Sequence, residues 1–131
     1  MKGIHMVDKK ILDLATQIAG ILEEKKAQDV RIFRVADRTV IADYFVIATG
    51  TSSTHVKALT DEVEFKLGEE GKYPTHSEGY DHAGWIVLDY DSILVHVFQK
   101  DSREFFKLEK LWADAEEIKS HMDAKKEGNG K

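Results

Sequence analysis

Residues 84–98, GWIVLDYDSILVHVF, set two apolar runs on either side of Asp-Tyr-Asp-Ser. Both runs are rich in Val, Ile and Leu, which suit a pleated surface, so the stretch predicts a β-hairpin. With Tyr90 and Asp91 as a two-residue turn, the opposed pairs are Asp89 with Ser92, Leu88 with Ile93, Val87 with Leu94, Ile86 with Val95, and Trp85 with His96. Side chains alternate along a strand, so Ile86, Leu88, Ile93, Val95 and Val97 share one aliphatic face. The other face carries Trp85, Val87, Asp89, Leu94, His96 and Phe98. The first face requires a core. The second combines an aromatic ring, an imidazole and a carboxylate, a composition suited to a recognition surface. A one-residue slip in register would exchange the two faces.

The remaining chain supplies partners for that hairpin. Asp8 is placed to cap a helix over residues 8–26, with Val7, Ile11, Leu14, Ile18 and Leu22 on one stripe. Residues 28–35 (QDVRIFRV) alternate as a strand, and residues 41–49 (IADYFVIAT) form a denser apolar run, as in an interior strand. Only a short polar link joins the two, so they are expected to be sheet neighbours. The hydroxyl residues after Gly50 are natural N-caps for a helix over 54–70, with Val56, Leu59, Val63 and Leu67 buried. Gly71 and Pro74 end it, and residues 73–83 read as a loop with a short edge strand at 75–78. Beyond the hairpin, Asp101 or Ser102 opens a last helix, supported by Glu104 and extending to about His121, with Phe105, Leu108, Trp112 and Ala115 on one side. Residues 1–6 form an N-terminal extension, 7–121 a single domain, and 122–131 a tail too polar to stay ordered. The fold class is α/β in the α+β sense: a mixed sheet of four or five strands with three helices covering mainly one face.

The chain has 131 residues, enough to bury one core, and no Cys, which excludes disulfides and thiolate metal sites and suits a reducing cytoplasm. No apolar run is long enough to span a membrane. A net charge of −5 argues against broad affinity for nucleic-acid backbones. The charge is also unevenly placed. Residues 73–99 contain no Lys or Arg but hold Glu78, Asp81, Asp89 and Asp91. An acidic field of this kind steers a basic partner protein.

Three constellations could carry chemistry. Gly50-Thr51-Ser52 between a strand and a helix resembles a phosphate cradle, and Asp89-x-Asp91 resembles a metal-binding carboxylate pair. Together they suggest a nucleotidyltransferase, but a full helix and a loop separate them, and Asp91 falls in the hairpin turn. A capping turn and a turn aspartate account for both more simply. His76, His82 and His96 are the best metal trio, without HxxxH or HExxH spacing, so neither metal nor cofactor is expected. Ser52, Ser53 and Ser92 lie in no G-x-S-x-G elbow, and no catalytic residues are assigned.

At DYFVIATGTSSTHVKAL (43–59) and GWIVLDYDSILVHVFQKDSREFFKLEKLW (84–112) the chain resembles the ribosomal silencing factor family, also called RsfS or Iojap-like, over residues 7–113. The resemblance implies a nucleotidyltransferase-like fold without the catalytic arrangement, and hence a translation repressor rather than an enzyme. It implies binding to the large ribosomal subunit through its protein number fourteen, steric exclusion of the small subunit, and damped translation under nutrient limitation. It names no membrane, no sequence-specific nucleic acid and no cofactor, and it leaves the free protein either a monomer or a homodimer. The alternative is a degenerate nucleotidyltransferase-like nucleotide-binding enzyme. Matched to the family motif, the partner-binding residues would be Trp85, Asp89, Tyr90, His96 and Phe98, with Glu78 and Asp81 as acidic support. The family commonly has Gly where this chain has Asp91, so the turn here departs from the pattern.

Overall fold

Seven consecutive buried residues, Tyr44–Gly50, form the strand at the middle of the sheet, because YFVIATG offers no charged side chain that demands solvent on either face. The computed structural model describes residues 2–107, 110 and 115–118, with side chains of residues 2–8, 105 and 106 left out. Its elements in order are α1 (Lys2–Glu24), β1 (Gln28–Arg34), β2 (Tyr44–Gly50), α2 (Ser53–Gly68), β3 (His76–Glu78), β4 (Trp85–Asp89), β5 (Ile93–Gln99), α3 (Lys100–Phe106) and β6 (Glu116–Ile118). The strands lie in the order β3-β4-β5-β2-β1-β6. The β1–β2 neighbours are antiparallel, and β2 runs parallel to β5, with Tyr44 opposite Ile93 and Gly50 opposite Gln99.

Helices α1 and α2 cover one face. Ile18 and Leu22 from α1 and Val56, Leu59, Val63 and Leu67 from α2 are fully buried against Val46, Ile86, Leu88, Ile93, Val95 and Val97. The aliphatic side of the hairpin is therefore the core side, as alternation predicts. Ile11 and Leu14 are half-buried against the same cluster. The α2 stripe matches its prediction, and Ser52 caps the helix, its Oγ accepting from the His55 N–H at 3.1 Å. Helical backbone in α1 begins at Lys2, so Asp8 lies within the helix rather than at its cap.

The hairpin register differs from the predicted one by two positions. Trp85 lies opposite Phe98, Ile86 opposite Val97, Val87 opposite His96 and Asp89 opposite Leu94. The turn is Asp91-Ser92, closed by Tyr90 N–H donating to Ile93 O at 2.9 Å. Asp91 takes the left-handed conformation at φ 71°, and its N–H donates to Asp89 Oδ1 at 2.7 Å. Asp tolerates this geometry better than most residues. A shift of two residues preserves the face of every side chain, so the division into core and outer faces survives it.

The sheet has six strands, not four or five, because the last predicted helix stops early. Lys107 adopts φ 48° and ψ 46°, and its N–H returns to Arg103 O at 2.8 Å, a left-handed cap that ends α3. The expected Asp101 cap is replaced by Gln99, which makes no side-chain capping bond. Residues 116–118 pair antiparallel with β1, and Arg31 holds Glu117 through two bonds of 2.9 and 2.8 Å. Leu108, Trp112 and the tail 122–131 lie outside the described residues, as do the side chains of Val7, Phe105 and Phe106.

At the end of β2, a Cβ on Gly50 would stand 2.7 Å from Val56 Cγ2 and 3.0 Å from the Val56 backbone nitrogen. This glycine lets α2 start directly over the strand. Gly50→Ala is expected to lower stability by about 1–3 kcal/mol through overpacking, measured by denaturant unfolding; an unchanged midpoint would show that α2 can shift without cost.

Candidate recognition face

The face opposite α1 and α2 collects the apolar side chains that strand alternation excludes from the main core. Phe33, Val35, Ala42, Phe45, Ile47 and Phe98 form a second buried cluster, against which Trp85, Leu94 and Ala115 pack with part of their surface accessible. Trp85 stacks on Phe98 with ring centroids 4.9 Å apart and an interplanar angle of 24°. Its Nε1–H donates to His96 Nδ1 at 3.1 Å, and His96 in turn lies 4.8 Å from the Phe45 ring. Phe45, His96, Trp85 and Phe98 thus form a connected aromatic group across β2, β5 and β4.

His96 is only 5% exposed, and burial lowers its pKa from 6.5 to about 4 because the charged ring would lose its hydration. The imidazole is neutral at physiological pH. Since Nδ1 accepts from Trp85, the proton sits on Nε2, which is buried and has no hydrogen-bond partner among the described residues.

The five motif-matched residues and their two acidic neighbours separate into three groups. Trp85 and Asp89 lie on the outer face with accessible surface. Glu78 and Asp81 are exposed at its margin, Glu78 in register with Val87 and accepting from His76 Nε2 at 2.8 Å. Phe98 is fully buried, His96 nearly so, and Tyr90 packs with the helix-side cluster at 8% exposure. Burial pushes the Tyr90 phenol above its ordinary range, and the Glu64 charge adds to the effect. These last three support the face from beneath or behind and offer little surface of their own.

The two turns that suggested nucleotide chemistry sit at opposite ends of the sheet. Asp89 is opposite Leu94, which pairs with Phe45 at the start of β2, whereas Gly50 ends that strand. At ~3.3 Å per residue this separates the turns by roughly 17 Å. The first donor after Gly50 is also occupied. Thr51 N–H donates to His55 Nδ1 at 2.9 Å, and His55 Nε2 donates to Lys25 O at 2.8 Å, tying the start of α2 to the end of α1. Among the described residues no three His, Asp or Glu side chains are grouped to hold a metal ion. No described helix is long and apolar enough to cross a membrane.

Sequence reasoning missed two residues that shape this region. Gly79, at φ 88°, passes so close to Trp85 that a Cβ would meet the Trp85 carbonyl oxygen at 2.1 Å. Its place after a short strand in a loop was the available signal. Arg103, 5% exposed, donates to Asp29 O at 2.6 Å and Thr49 Oγ1 at 2.8 Å, and pairs with Asp29 Oδ2 at 3.1 Å. It clamps a bulge in β1 where Asp29 has φ 47° and the register with β2 shifts. No local pattern marks such a residue.

Comparison with known proteins adds three findings. The family described as "Ribosomal silencing factor during starvation" matches residues 8–131. Ribosomal silencing factor RsfS of Bacillus subtilis is 37% identical over 110 residues, covering 84% of this chain and 91% of its own, and RsfS of Halalkalibacterium halodurans is 36% identical over 110 residues, covering 84% and 92%. A crystal structure of a Chromobacterium violaceum protein superposes with a TM-score of 0.73 at 31% identity, covering 80% of this chain and 85% of the other.

The buried imidazole makes stability depend on pH with a definite sign. The unfolded chain takes up a proton as pH falls through 6.5, while the folded chain resists it until about 4. The stabilising effect of the neutral ring is therefore complete above about 6.5 and is lost on acidification toward 4, by on the order of 3 kcal/mol. Melting at pH 7 and pH 4.5 should show a larger loss in the native protein than in His96→Phe; equal losses would mean the ring protonates without disturbing the face.

Proposed function

The chain belongs to the ribosomal silencing factor family, and from that premise we propose that it binds the large ribosomal subunit through protein number fourteen and sterically blocks the small subunit from joining, repressing translation when nutrients are scarce. The observation that carries this reading is the outer sheet face. Trp85, Val87, Leu94 and Asp89 keep accessible surface there, on the side that α1 and α2 leave free. A partly exposed Trp resting on a buried aromatic layer has the makeup of an interface hot spot. Glu78, Asp81 and Asp89 give the margin a negative charge that complements a basic ribosomal protein. On this reading the protein works in the cytoplasm beside ribosomes.

The family name is that of a regulatory factor, and the separated turns support a protein without nucleotidyl-transfer activity. Incubated with nucleoside triphosphates and magnesium, the purified chain should release no pyrophosphate above buffer. Release that disappears in Asp89→Ala would overturn the reading as a complete account.

Two adjacent residues test the recognition face against the core. Trp85→Ala should weaken co-sedimentation with large subunits, and competition against small subunits, by about 2 kcal/mol or more, as loss of a central aromatic anchor commonly does. Ile86, fully buried on the helix side, should behave in the opposite way. Ile86→Ala is expected to cost about 2–5 kcal/mol of folding stability and little binding per folded molecule. Unchanged binding by Trp85→Ala at equal folded concentration would require the contact surface to lie elsewhere.

A further inference from the structure

Trp85 has two rotatable side-chain bonds and only partial burial, so the strand alone does not fix where its indole points. Two contacts remove that freedom. Phe98 lies against the ring at 4.9 Å, and His96 Nδ1 accepts the indole N–H at 3.1 Å. His96 cannot itself offer a partner much surface, being 5% exposed beneath the face. Its retention there carries a cost, since the Nε2–H is buried without a partner among the described residues. An aliphatic or phenyl side chain would fill the same space without an orphaned donor. What the imidazole supplies and those side chains lack is an acceptor aimed at Trp85.

We propose that His96 is a positioning residue, which holds the Trp85 indole in the orientation that the ribosomal partner meets. The inference rests on the reading of Trp85 as a partner contact and deepens it. It also defines the chemistry of that contact. With the indole N–H committed to His96, the surface that Trp85 keeps accessible is hydrocarbon. The group received there is an aliphatic chain or a flat cation rather than a hydrogen-bond acceptor.

The test uses the full chain and two substitutions. His96→Phe keeps an aromatic ring and removes the acceptor; His96→Asn keeps an oxygen near the place of Nδ1. The indole resonance of Trp85, assigned by its loss in Trp85→Phe, reports the hydrogen bond through its proton shift and its exchange with solvent. The native protein and His96→Asn should show a downfield, slowly exchanging indole proton. His96→Phe should show an upfield one exchanging at least about tenfold faster, and should bind large subunits roughly tenfold more weakly per folded molecule, with His96→Asn largely restored. In a Trp85→Ala background the His96 substitution should add no further loss, because its effect passes through the indole. An indole proton unchanged in His96→Phe overturns the positioning role. So does a freed indole with unchanged binding while Trp85→Ala still binds weakly. If Trp85→Ala binds as the native protein does, the recognition reading itself fails, and the positioning role fails with it.

Discussion

Parallel pairing of β2 with β5 is the constraint on which the rest of the molecule depends. Parallel neighbours cannot be joined by a tight turn, so the chain leaving Gly50 has to travel back to the start of the sheet before it can enter Ile93. Helix α2, and then β3 and β4, make that return. The crossover carries the turn after Gly50 to one end and the Asp91-Ser92 turn to the other, so the two motifs that resemble catalytic parts never meet. It also sets β2 between two neighbours and beneath two helices, which is why that strand reads as almost unbroken apolar sequence.

Each strand of this central group has two faces, and they are used differently. The helix side is mainly aliphatic. The outer side is aromatic, with the neutral imidazole of His96 inserted among Phe45, Trp85 and Phe98. Which residues share this face follows from period-two alternation alone, so Trp85, His96 and Phe98 could be grouped from sequence. How deeply each one sits could not. The depth of Phe98 depends on neighbours contributed by β1 and β2, far away in the chain, and Tyr90 continues the helix-side alternation of Ile86 and Leu88 because the turn begins one residue later than expected.

The same distinction explains the other differences between expectation and structure. The α2 stripe and the two faces of the hairpin were legible because both depend on local periodicity. The hairpin register was not, since Asp91 in a left-handed turn and Tyr90 closing on Ile93 move the pairing by two places without changing any face. The end of α3 depends on one backbone conformation at Lys107, for which lysine gives no signal. Glu116-Glu117-Ile118 becomes a strand only because β1 offers an edge and Arg31 a fork of donors; taken alone, those three residues suit a helix. Arg103 is the extreme case, a buried cation whose partners Asp29 and Thr49 are visible only once the fold has formed.

The pairing of β6 with β1 joins the strands most distant in sequence of any neighbours in the sheet. Hairpin pairs β1–β2 and β4–β5 close short loops and form locally, whereas Arg31 and Glu117 are 86 residues apart in sequence. Until that distance is closed, β1 is a bare edge with unpaired backbone groups, a template on which another chain could pair and aggregate. Arg31 and Arg34 place positive side chains along that edge, and Arg31 is also the residue that holds the strand covering it.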